Sequence, residues 1–328
     1  MVAAEGLSQL LGPDRGIAKV CLGGNRFGSE LDELASFEQL DRFVERGGRF
    51  VDTALVYADW VPGVETSCSE KTIGRWLGTA GCPPGLVVAT KGGHPPLAGP
   101  LRHRLDRRSL REDVERSVSH LGLAPIPLYY LHRDDPGTAV SAIVDVLEEL
   151  TVEGLIEAYG ACNWSAERLA AALSYADERG VPGFVANQVS WSVAAPISSG
   201  LGVGLVSMDA ALVDLHRRRR LPVVAYSAQA KGYFDKVAAG VPLGQSEVYD
   251  SPASRVAATK LSGLAEAWGV APTALALAAM STTDLAVTPI IGPRSVKQLD
   301  ASMDAVDLEL PAHVSEDLCR LLLASVES

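Results

Sequence analysis

RFVDTALVY (residues 49–57), LVVATKGG (86–93) and IPLYYLHRDDP (126–136) decide the fold. Each is an apolar, β-branched or aromatic run of strand length, and each ends in chemically active residues: Asp52 and Tyr57, Lys91, and His132. Apolar runs of this length, set between helical patterns, predict strands buried on both faces of a parallel sheet. Working outward, five more candidates fit: IAKVCLGG, IEAYGACN, GFVANQVS, LPVVAYSA and AVTPIIG. Between the strands lie helical patterns such as SFEQLDRFVERG, SEKTIGRWLG and SAERLAAALSYADERG. Ser109 with Glu112 predicts a capping box, Ser165 predicts an N-cap, and residues 253–280 read as one long helical segment.

Eight strands, each followed by a helix, predict an α/β fold of the (β/α)8 TIM-barrel type. The 328 residues form a single domain, with a short N-terminal cap over residues 1–16 and a last helix in PAHVSEDLCRLLLAS. A doubly wound open sheet is the alternative. It usually has fewer strands and a glycine-rich first turn, and LGGNRFG lacks the G-x-G-x-x-G spacing. The same stretch has Ser29 where a P-loop needs lysine, so its glycines are read as allowing backbone to approach a ligand.

The net charge of −11 argues against nucleic acid or an anionic membrane as partner. The basic run His216–Arg220 is read as the last turn of a helix, where cations complement the dipole. Five scattered cysteines without CxxC spacing predict reduced thiols and a cytoplasmic location. The six histidines make no metal-ligand motif, so no metal is expected. There is no signal-like N-terminus and no apolar run of membrane-spanning length.

In a parallel barrel the carboxyl ends of neighbouring strands converge on one face, which brings Asp52, Tyr57, Lys91 and His132 together. A tyrosine is a weak acid, and an adjacent ammonium favours its phenolate. A carboxylate would hold that ammonium in place, and an imidazole would orient a carbonyl oxygen. Trp60, Trp164 and Trp191 fall in or after βα loops, and Arg26 follows the first strand. These four are the candidate substrate residues, suited to a sugar ketone or polyketide-like carbonyl; the three tryptophans fit equally as plugs of the barrel top. Trp76 and Trp268 are expected to pack outside, and residues 240–252 to form a flap.

The motifs LGGNRFG, FVDTALVY, SEKTIGRWL, VVATKGG, LYYLHRDDP, GACNWS, NQVSWS, AYSAQAKG and IIGPRSVKQLD run along nearly the whole chain. Together they resemble the aldo-keto reductase superfamily, and within it the bacterial branch related to the potassium-channel β subunits. The resemblance implies reduction of an aldehyde or ketone by NADPH (NADH less so), with Tyr57 as proton donor, Lys91 as its neighbour, Asp52 as the partner of Lys91 and His132 orienting substrate. It also implies a cofactor site of Gly24, Asn25, Asn163, Gln188, Tyr226, Ser227, Gly232, Gly292, Arg294, Gln298 and Ser302. Of these, Asn163 and Gln188 would hold the carboxamide, Tyr226 would stack on the ring, and Arg294 would meet a 2′-phosphate. The chain departs from the family pattern at Cys162 (usually serine), Pro127 (aspartate), Ala228-Gln229 (Pro-Leu) and Ser302 (asparagine). A regulatory subunit that holds NADP(H) and turns over slowly, and a lyase using Lys91 as Schiff base, remain open. So do the physiological substrate and assembly into a homo-oligomer.

Overall fold

In the computed structural model, which describes residues 19–98, 102–197 and 202–327, eight parallel strands close on themselves in chain order. They are β1 (Cys21–Gly23), β2 (Phe50–Asp52), β3 (Val87–Gly92), β4 (Leu128–Leu131), β5 (Tyr159–Cys162), β6 (Asn187–Ser190), β7 (Val223–Tyr226) and β8 (Val287–Ile291). Closure comes from β1 pairing with β8, Leu22 opposite Ile291. The barrel and its ring of helices are as the strand count predicts; the expected N-terminal cap lies outside the described residues.

Strand parity sorts the side chains. Phe50, Val87, Ala89, Leu128, Tyr130, Cys162 and Val224 pack together inside the barrel. Their alternates Val51, Val88, Tyr129, Leu131, Ala161 and Val223 belong to the larger core between strands and helices. With a period of two, Asp52, Lys91 and His132 follow Phe50, Ala89 and Tyr130 on the inward face. Inward positions are therefore apolar low in the barrel and polar at its carboxyl end. Gly160 makes the filling possible, because a Cβ there would stand 2.5 Å from the Tyr130 ring.

Around the strands lie α1 (Glu33–Glu45), α2 (Cys68–Ala80), α3 (Arg107–Leu121), α4 (Val140–Val152), α5 (Ala166–Arg179) and α6 (Ala210–Arg219). After β7 come α7 (Tyr233–Ala239), α8 (Pro252–Trp268) and α9 (Pro272–Ala278); after β8 come α10 (Val296–Val306) and α11 (Ala312–Ala324). Ser165 caps α5 by accepting from the Arg168 N–H. The cap of α3 is Asp106 rather than Ser109, whose N–H and hydroxyl both donate to the Asp106 carboxylate. The long segment predicted over residues 253–280 is broken: Gly269 ends α8 in the left-handed conformation and Pro272 starts α9, with a bend of 101°. No single described helix is long and apolar enough to cross a membrane.

The basic run caps α6 as expected. Arg217 pairs with Asp284, Arg218 with Asp214 and Arg219 with Asp177. His216 is buried, its Nδ1 2.7 Å from the Leu221 carbonyl oxygen and its Nε2 3.1 Å from the Asn187 amide nitrogen.

Candidate active site

Lys91 stands at the carboxyl end of β3 with no solvent exposure. Its ammonium donates to Asp52 Oδ2 at 2.6 Å, to the Thr53 carbonyl oxygen at 2.8 Å and to the Tyr57 hydroxyl at 2.8 Å. All three N–H donors are thus spent, which fixes the charge in position against the phenol. Lys91 Nζ also lies 4.4 Å from the centroid of the Tyr57 ring. The other Asp52 oxygen accepts from Gln188 Nε2 at 2.8 Å, so β2, β3 and β6 meet in one buried network.

Tyr57 reaches this network because the chain turns sharply after β2. The Leu55 N–H still donates to the Lys91 carbonyl, and the Tyr57 N–H closes a turn on the Ala54 carbonyl. The expectation that Lys91 lowers the Tyr57 pKa does not hold: burial, and then the Asp52 carboxylate, hold it well above the usual phenol range. The Asp52 carboxylate, 2.6 Å from the Lys91 ammonium, acts on the phenol in the opposite sense. His132 packs edge-on to Tyr57 with ring centroids 5.8 Å apart. Burial, then the charges of Lys91 and Arg133, push its imidazole well below the usual histidine range. His132 is therefore neutral at pH 7, with a buried Nδ1 that has no hydrogen-bond partner among the described residues. A protonated phenol and a neutral imidazole flank the same opening. That pair can protonate and orient a carbonyl oxygen.

At the ends of β5 to β7, Asn163 adopts a left-handed backbone, φ 61°. Its Oδ1 accepts from the Tyr226 hydroxyl at 2.7 Å and the Val206 N–H at 3.1 Å. Its Nδ2 lies 3.2 Å from the His132 carbonyl oxygen and 3.1 Å from Cys162 Sγ. The thiol that stands where the family has serine also lies 3.7 Å from Gln188 Oε1. Ser227, Ala230 and Lys231 follow β7 with φ of 58°, 46° and 54°, and Gly232 continues the left-handed run at 74°. A non-glycine run of this kind is costly and concentrates at ligand-binding loops.

Beyond β8, a cleft of about 350 Å³ is lined by Ala35, Glu38, Gln39, Arg294, Ser295, Val296 and Lys297. Two cations face it beside the N-terminus of α10, which suits an anion. The Gln39 Oε1 there is buried without a partner among the described residues. Gln298 accepts from the Arg294 N–H at 2.8 Å. Ser302 is bonded to Gln229 at 3.2 Å, so two positions where the chain departs from the family pattern touch one another.

Several expected site residues stand elsewhere. Gly24 is packed on protein, since a Cβ would lie 3.0–3.2 Å from Phe27, Ser69 and the Asp52 carbonyl, so its need is internal fit rather than approach to a ligand. Asn25 is exposed at the mouth. Arg26 is tied to Glu30 at 2.9 Å and to the Gly292 carbonyl at 3.2 Å, which puts it with the β8 segment instead of beside Trp60. Trp164 is fully buried against Phe184 and Arg168, because the left-handed Asn163 turns the chain outward. Trp191 is also buried. Trp60 alone of the three tryptophans is at the opening, 52% exposed with its ring centroid 6.1 Å from that of Tyr57. The expected flap is anchored at several points: Lys236 donates to the Leu243 carbonyl and to Ser246, Tyr233 to Asp250, and Ile197 N–H to the Val248 carbonyl.

Two residues that the sequence did not single out also border the opening. His94, three positions past Lys91, packs on His132 with ring centroids 4.9 Å apart. Arg133 follows His132 directly, and that adjacency was the available signal.

A barrel with this network at its carboxyl end suits carbonyl chemistry, and the comparisons with known proteins give the class. The chain belongs to the aldo/keto reductase family, whose model matches residues 19–321. Its relatives include the uncharacterized oxidoreductase YrpG of Bacillus subtilis, 26% identical over 91% of this chain and 90% of its own. The norsolorinic acid reductase stcV of Emericella nidulans is 28% identical over 93% of this chain and 79% of its own. The aldo-keto reductase ausK of the same organism is 29% identical over 85% of this chain and 70% of its own. The protein is an oxidoreductase of carbonyl groups that uses a nicotinamide cofactor.

Proposed function

We propose that the protein reduces an aldehyde or ketone to its alcohol, reversibly, with NADPH and with Tyr57 as the proton donor. The observation that carries this reading is Lys91, which has no exposure and spends its donors on Asp52, Thr53 and Tyr57. NADPH, when bound, would supply the hydride. Tyr57 gives its proton to the carbonyl oxygen, and the Lys91 ammonium stabilises the phenolate left behind. Neutral His132 orients the oxygen toward Tyr57 without competing for the proton.

Asn163, Gln188 and Tyr226 would hold the nicotinamide end, with Ser227 and Gly232 toward the diphosphate. Gly292, Gln298 and Ser302 would border the adenosine. Arg294, with Lys297 beside it, would take the 2′-phosphate, and the cleft at α10 supports NADPH over NADH. Exposed apolar side chains on the βα loops, Trp60, Leu97, Ile197 and Val203, favour a substrate with a bulky apolar body over a sugar.

Replacing Tyr57 by Phe tests the assignment. Turnover should fall by roughly 10²–10⁴-fold, the usual value of a general acid. NADPH affinity, followed by fluorescence, should stay nearly intact. Loss of cofactor binding instead would make Tyr57 a structural residue and sink the mechanism.

A further inference from the structure

Arg133 is a cation that the chemistry above does not use. It is half-buried at the end of β4, and its Nη1 donates to the His132 carbonyl oxygen at 2.9 Å. No described carboxylate pairs with it, and the neighbouring acids are engaged elsewhere. Asp134 takes Arg168 at 2.9 Å through both oxygens. Asp135 accepts from the Gly137 N–H and the Thr138 hydroxyl, and Asp113 from Arg104 and the Gly93 N–H. Asp52 is held by Lys91 and Gln188. A guanidinium half withdrawn from water without a counter-charge loses part of its hydration uncompensated.

Its surroundings are those of the reaction centre. The Arg133 stem lies against Gly204, where a Cβ would be 3.3 Å from Cδ. Its charge acts on His94, His132, Cys162 and Tyr226, at or beneath the ends of β3 to β7. His94 has Nδ1 2.6 Å from the Pro95 carbonyl oxygen, so its neutral ring keeps that proton and presents no charge. Lys91 has no free donor. Among the described residues, Arg133 is thus a charged donor next to His132 with no acidic partner, and the half-exposed Trp60 lies edge-on to the phenol.

We propose that the substrate is a planar carbonyl compound bearing an anionic oxygen group, a carboxylate or an ionised phenol, which Arg133 binds while Tyr57 protonates the carbonyl. The inference rests on the reductase reading and adds a substrate class to it. A guanidinium offers paired donors to such a group, and an aromatic wall at Trp60 suits a flat body.

The test compares kcat/KM for 4-carboxybenzaldehyde and its methyl ester, and for 4-hydroxy-3-nitrobenzaldehyde and its methyl ether, with NADPH. The wild type should prefer the anion in at least one pair by about tenfold or more, the worth of one charged hydrogen bond. Arg133→Gln should erase that preference mainly through KM, and Arg133→Lys should restore part of it; the pair affected identifies the oxyanion. No preference in either pair, or one that survives Arg133→Gln, overturns the inference. So does a large loss of NADPH affinity in Arg133→Gln, which would make Arg133 a cofactor residue. If none of the four compounds is reduced, quenching of tryptophan fluorescence by 4-carboxybenzaldehyde separates the two readings. Quenching that needs Arg133 keeps the anion site and removes the reductase mechanism; no quenching removes the anion site.

Discussion

Lys91 and Asp52 form an ion pair with essentially no access to water, so their value lies in what each does for the other. Removing one partner of a buried pair leaves an uncompensated charge and typically costs about 3–5 kcal/mol. Lys91→Met should therefore destabilise the fold by roughly that amount in urea denaturation, besides abolishing reduction. Adding Asp52→Leu to Lys91→Met should recover part of the stability and none of the activity. Stability unchanged in the single variant would mean that the pair is not closed from water. The pH profile follows from two directions. Tyr57 is held above its ordinary value, so it stays protonated at neutral and mildly alkaline pH. His132 is held below its ordinary value, so it stays neutral as pH falls toward the usual imidazole range. The rate of reduction at saturating cofactor should be level between about pH 7 and pH 9, spanning the interval between ordinary histidine and tyrosine values. A steep alkaline fall starting near neutrality would contradict the Tyr57 environment. At this scale, Asp52, Tyr57, Lys91 and His132 were legible because strand ends in a barrel converge. Arg133 and His94 were not, since a lone cation or imidazole in a loop acquires meaning only from unmet partners around it. Trp164 was misplaced because one left-handed residue, Asn163, reverses the direction that strand parity gives.

Elements were read well where periodicity decides and less well where single residues punctuate. All eight strands appear, shortened to the residues that pair. The break between α8 and α9 was signalled by Gly269 and Pro272, but the apolar pattern on both sides masked it. At α3, Asp106 outcompeted Ser109 as cap because a carboxylate also suits the positive end of the helix. Gly160→Ala tests how tightly β5 fits the filled interior. A methyl 2.5 Å from the Tyr130 ring should cost about 1–3 kcal/mol by overpacking, read from the denaturation midpoint. Helix α6 is tied to β6 through His216, whose pKa burial lowers from 6.5 to about 4. The unfolded chain binds this proton more readily, so the contribution is fully present above pH 6.5 and is lost as pH falls toward 4. That loss amounts to about 3 kcal/mol. His216→Gln should flatten the acid dependence of stability between these pH values, and an unchanged slope would place the sensitivity elsewhere.

Over the whole molecule, the acidic surface and the barrel mouth serve different ends. The arginines closing α6 are neutralised by Asp284, Asp214 and Asp177, whereas Arg294 and Lys297 face an open cleft. Arg294→Ala should weaken NADPH binding by roughly tenfold or more, as loss of a charged hydrogen bond does, and change NADH binding little. Equal losses for both cofactors would remove the 2′-phosphate role.

The filled interior also sets the route by which the active site is recharged. Beneath the Lys91 network stand Phe50, Val87, Leu128, Tyr130 and Val224, all with no solvent exposure. Among the described residues these side chains fill the barrel axis, so under the proposed mechanism the hydron lost from Tyr57 would be replaced from the bulk above, after the alcohol departs. On that mechanism the barrel would work as a cul-de-sac, with product exit, proton resupply and substrate entry taking turns at its mouth.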